Sequence, residues 1–99
     1  MKVNVHAVNF NVDRKLVDFI QERLDKSEKY YDRVVSSDVF LKVENTSDKE
    51  NKTVEIKILV PGDEFMVKKT NKTFEEATDL AADSLERLLV KRKEKLSSH

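Results

Sequence analysis

Apolar and polar residues alternate from the start of the chain. In residues 2–8, Val3, Val5 and Ala7 fall on one side and Asn4 and His6 on the other, which predicts a half-buried strand. The period then changes. From about Arg14 to Lys29, Leu16, Phe19, Ile20 and Leu24 recur at helical spacing, with Val17 at the edge of the stripe. Asp13 stands where a helix N-cap carboxylate would accept from a free first-turn amide, and Val12 and Val17 suit a hydrophobic staple. Alternation returns with Val39, Leu41 and Val43 set against Phe40, Lys42 and Glu44. It continues with Val54, Ile56, Ile58 and Val60 set against Glu55, Lys57 and Leu59. The polar run 45–51 between these two segments predicts a hairpin loop. Pro61-Gly62 predicts a tight turn, because Pro presets φ and the following Gly accepts a positive one. Phe65 and Val67 mark a fourth strand, to about Thr70. A second helix starts at the capping box Thr73-Phe-Glu-Glu76, with Phe74, Ala77, Ala81, Leu85, Leu88 and Leu89 as its buried stripe.

The order β-α-β-β-β-α predicts an α+β fold: a two-layer sandwich of a four-stranded sheet with both helices on one face. Its core is expected from Leu16, Ile20, Leu24, Leu41, Val43, Ile56, Ile58, Ala81, Leu85 and Leu88. The uncovered sheet face should carry Asn4, His6, Lys42, Glu44, Glu55 and Lys57 and be wet.

Ninety-nine residues suit a single domain, 1–99. At 38% hydrophobic and 38% charged, the chain is apolar enough to build one modest core. It lacks cysteine, so disulfides, thiolate metal sites and cysteine nucleophiles are excluded. One Gly rules out a glycine-rich phosphate loop. His6 and His99 have no partners at metal-ligand spacing, and no nucleophile–base pair stands out among the carboxylates. Neither a metal nor a cofactor is expected, and an enzyme is the least supported class. Nothing resembles a signal peptide or a membrane span.

Charge sharpens the picture. Lys plus Arg and Asp plus Glu each number 19, so local basic flanks do not follow from composition. Arg87, Lys91 and Lys95 recur at i, i+4 and i+8 beside the apolar stripe of the second helix. Arg92 lies on the core side by angle, which places the last two turns beyond the sheet. On the first helix and just after it stand Arg23, Lys26, Lys29 and Arg33, interleaved with Asp25, Glu28 and Asp32. Alternating charge of that kind also suits a solvated face, and terminal cations also offset a helix dipole. The stem of Arg23 is placed to lie along apolar surface. Tyr30 or Tyr31 should pack in the core, and either ring could stack on a base. A cationic line on a neutral chain favours an anionic partner, above all nucleic acid.

Two segments resemble a known family. One is Lys26-Ser-Glu-Lys-Tyr-Tyr-Asp-Arg33. The other runs Ala77-Thr-Asp-Leu-Ala-Ala-Asp-Ser-Leu-Glu-Arg-Leu-Leu-Val-Lys-Arg-Lys-Glu-Lys-Leu96. Together with the strand order, they resemble the ribosome hibernation promoting factors, also called ribosome-associated inhibitor A or sigma-54 modulation proteins. The resemblance implies a double-stranded-RNA-binding-domain-like sandwich that acts in the cytoplasm. It implies binding to the small ribosomal subunit, through ribosomal RNA, in the channel for transfer and messenger RNA, both on the subunit and in whole ribosomes. Inhibition of translation in idle ribosomes would follow. The RNA-binding set it implies is Arg23, Lys26, Lys29, Arg33, Arg87, Lys91, Arg92 and Lys95, with no small-molecule substrate and no membrane. Ser84 departs from the pattern, standing where the family usually has Lys; Lys68, Lys69 and Lys72 are candidate substitutes. The chain ends like the family's short form, without the carboxy-terminal domain through which long forms dimerise ribosomes. The alternative class is a protein-interaction regulator of a transcription or signalling factor.

Overall fold

Each expected element forms, within a few residues of its expected ends. The computed structural model describes residues 1–44 and 51–97. The strands are β1 (Val3–Ala7), β2 (Ser36–Val43), β3 (Lys52–Val60) and β4 (Asp63–Asn71), and the helices are α1 (Arg14–Ser27) and α2 (Phe74–Ser97). The hairpin loop expected over 45–51 lies, apart from Asn51, outside the described residues, as does His99.

Local chemistry sets the boundaries. Asp13 has extended backbone, and its carboxylate accepts from the Leu16 amide at 2.8 Å, so α1 starts where the cap places it. The α-helix was expected to reach Lys29. It tightens instead after Ser27 into one 3-10 turn, Glu28–Tyr30, closed by the Tyr31 amide donating to the Glu28 carbonyl. Thr73 Oγ1 accepts from the Glu76 amide at 3.1 Å and opens α2. Pro61 and Gly62 link β3 to β4, with Gly62 at φ 79°, as the turn signal required.

The strands lie in the order β1-β2-β3-β4. β1 pairs parallel with β2, and the others are antiparallel. Register aligns Val5, Val39, Ile56 and Val67 across one face. Ile20 and Leu24 of α1 and Ala77, Ala81, Leu85 and Leu89 of α2 bury that face, so both helices cover the same side. Ala77 and Ala81 bring α2 close to β3 and β4.

Two expectations need correction. Val43 was assigned to the core but is 44% exposed. It lies at the sheet's end, opposite Lys52, beyond the cover of the helices. The second concerns the end of α2. Leu89 is fully buried, and Arg92 donates to Asp63 Oδ2 at 2.9 Å and to the Pro61 carbonyl at 2.8 Å. The helix thus stays tied to the β3–β4 turn as far as Arg92. Leu16 and Leu88 pack against the core while keeping some exposure.

Candidate nucleic-acid interface

Helices α1 and α2 run side by side on the sheet, and a cleft opens between them. An ionic cluster joins the two helices there. Arg23 of α1 donates to Glu86 at 2.7 Å, Asp83 at 2.9 Å and Asp79 at 3.1 Å. The three carboxylates share one stripe of α2 because 79, 83 and 86 are spaced i, i+4, i+7. Ser27, fully buried, donates its hydroxyl to Glu86 at 2.8 Å. The Glu86 hydrogen bond is the chief reason the Arg23 pKa is raised; burial works against it, and the charges of Glu86 and Asp83 add to it. A raised pKa on a base means stability fully present below the ordinary arginine value and lost only above it, in strong alkali. The guanidinium is therefore charged wherever the protein is folded.

Tyr31 is buried in the core, and Tyr30, its neighbour on the 3-10 turn, is 43% exposed. Tyr30 borders two depressions. One, of about 470 Å³, is lined by Phe19, Glu22, Arg23, Lys26, Lys29, Asp79 and Glu86 as well. The other, of about 570 Å³, adds Asp83, Arg87, Val90, Lys91 and Glu94. The two basic flanks therefore meet: Lys26 and Lys29 on one side of Tyr30, Arg87 and Lys91 on the other. All four cations are exposed.

The other sequence-predicted residues are placed differently. Arg23 was expected to contact RNA or to lay its stem on apolar surface; its head group is instead occupied by three carboxylates, with the side chain 17% exposed. Arg92 faces the β3–β4 turn, away from the cleft. Arg33, on the turn after Tyr31, and Lys95, beyond Arg92, are exposed but line neither depression. Ser84 is half-buried and also lines neither. What sequence reasoning missed is the acidic stripe Asp79–Asp83–Glu86. Its spacing was visible, but only the pairing of α1 with α2 shows that it faces Arg23. On the opposite sheet face, His6 stacks on Phe40 with ring centroids 4.9 Å apart and lies 3.2 Å from Asp38.

Fold and site together define the class: a small α+β sandwich whose paired helices present exposed cations at one cleft. Within that class, the chain belongs to the Sigma 54 modulation protein / S30EA ribosomal protein family, whose sequence profile matches residues 3–97. It is 33% identical over 98 residues to a ribosome hibernation promoting factor of Pseudomonas putida, spanning 99% of this chain and 92% of that one. The Escherichia coli K12 protein of that name is 29% identical over 99 residues, spanning 100% of both. Among solved structures, the fold matches a ribosomal subunit interface protein from Coxiella burnetii with a TM-score of 0.83 at 17% identity, covering 94% of this chain and 98% of that one. It also matches the N-terminal domain of Thermus thermophilus Protein Y, with a TM-score of 0.80 at 20% identity, covering 93% and 99%.

Proposed function

We propose that this protein is a ribosome hibernation factor acting in the cytoplasm. It binds the small ribosomal subunit, alone or in the whole ribosome, in the channel used by transfer and messenger RNA, and so inhibits translation. The observation that supports this most is the convergence of Lys26, Lys29, Arg87 and Lys91 around Tyr30 in a chain of this family. The mechanism is steric. A rigid sandwich presents exposed cations to ribosomal RNA and fills space that other RNAs need; no bond is made or broken. Residues 1–99 act as one ribosome-binding domain. The cleft rim carries the main contacts, Arg33 and Lys95 extend them at either end, and Arg23 and Arg92 hold the scaffold that positions the rim. Phosphate contacts should dominate, since RNA helices are read mainly through backbone and hydroxyl groups.

Salt dependence tests the reading. Each lysine or arginine that neutralises a phosphate releases counterions, so log affinity falls linearly with log salt. Arg87→Ala with Lys91→Ala should remove most binding to small subunits and flatten that slope by roughly one unit per lost contact. Normal binding by the double alanine variant would move the interface elsewhere, with Lys68, Lys69 and Lys72 next in line.

A further inference from the structure

The cleft contains an aromatic ring that the fold covers only in part. Tyr30 is 43% exposed at the border of both depressions. Among the described residues the ring pairs are His6–Phe40 and Phe10–Phe74, and the Tyr30 side chain takes part in neither ring pairing nor hydrogen bonding. Tyr31 already supplies the packing at this point of the chain. The exposed part of an aromatic ring forgoes the gain from burial, so its position calls for something to cover it.

The charge of the lining decides what that is. In the larger depression Asp83, Glu86 and Glu94 stand beside Arg87 and Lys91. A phosphate set among those carboxylates would be repelled by them. An uncharged, flat group would not be, and it would gain by stacking on Tyr30. Phosphates attached to such a group would reach the exposed cations at the rim, Lys26 and Lys29 on one side and Arg87 and Lys91 on the other. A nucleotide divides its chemistry in this way, with a neutral aromatic base joined to an anionic backbone.

We infer that Tyr30 is a base-stacking residue, and that the cleft takes an unpaired RNA nucleotide with its base on the Tyr30 ring and its flanking phosphates on the rim cations. The inference rests on the proposed ribosome binding and names the part of the RNA that is held. A base inside a duplex is stacked on both faces and unavailable to a side chain, so the target is a loop, bulge or other single-stranded segment.

The test compares Tyr30→Phe and Tyr30→Leu in binding to purified small ribosomal subunits across a salt series, with chemical probing of the RNA bases. Tyr30→Leu should weaken binding about tenfold, the scale of one lost base–aromatic stack. It should leave the salt slope unchanged, because no phosphate contact is removed. Tyr30→Phe should retain affinity, since the ring is what matters. A base protected by the wild type should become reactive with Tyr30→Leu. Unchanged affinity for Tyr30→Leu would overturn the inference while leaving wild-type ribosome binding, and thus the proposed function, intact. So would an equal loss with Tyr30→Phe, which would assign the contact to the hydroxyl, or the absence of any Tyr30-dependent base, which would assign it to a ribosomal protein. A wild type that binds no subunits would instead refute the proposed function, and the inference with it. Because Tyr30 lies at the surface, both variants should keep the wild-type urea midpoint, which separates lost contact from lost fold.

Discussion

Arg23 and Leu85 show how differently two residues on facing helices secure the same layer. Leu85 is fully buried against the sheet. Truncation to Ala should cost about 2–5 kcal/mol through lost burial and the cavity left behind, read as a lower urea midpoint. Arg23 works through three hydrogen-bonded carboxylates. Arg23→Gln leaves those carboxylates facing one another and should lower stability by about 1–3 kcal/mol. Added salt should recover part of that loss by screening the repulsion. If the variant bound ribosomes poorly yet unfolded at the wild-type midpoint, Arg23 would belong to the RNA contact and not to the scaffold. The sequence alone could not separate these roles. A lysine or arginine beside a helix stripe looks the same whether it meets phosphate or a carboxylate on a neighbour 60 residues away. Burial of Leu85, by contrast, follows from periodicity within its own helix.

Local signals placed the elements well because each boundary has a local cause: Asp13 at the start of α1, Thr73 at the start of α2, and Pro61-Gly62 between β3 and β4. The departures occur where tertiary contacts intervene. Val43 has the right parity for the core, but coverage ends before it. Arg92 was read as the point where α2 leaves the sheet, yet it donates to Asp63 and to the Pro61 carbonyl. That clamp joins the far end of α2 to the turn that closes β3 on β4, and it steadies the segment carrying Lys91. Arg92→Gln should therefore cost about 1 kcal/mol and raise amide exchange in the last turns of α2, with little change around Ala77 and Ala81. Uniform exchange along the whole helix, equal to wild type, would show that the clamp contributes nothing.

At the scale of the molecule, a chain with no net charge brings exposed cations from two helices to one cleft and interleaves them with carboxylates. On the proposed function, neutrality would limit indiscriminate attraction to RNA, while the exposed lysines and arginines of the cleft would meet phosphates. Both basic flanks were legible from helical spacing. Their meeting around Tyr30 was not, since it depends on α1 and α2 lying side by side with their starts at the same end of the sheet, where Phe10 stacks on Phe74. The family likeness was carried by the segment around Tyr30, by α2 and by the strand order between them, and the profile match over residues 3–97 agrees with it. Sedimentation of the protein with separated subunits and whole ribosomes in low salt, where electrostatic attraction is strongest, tests the account most directly. The protein should travel with small subunits and whole ribosomes and leave them as salt rises. Protein that stays entirely at the top of the gradient in low salt would contradict it.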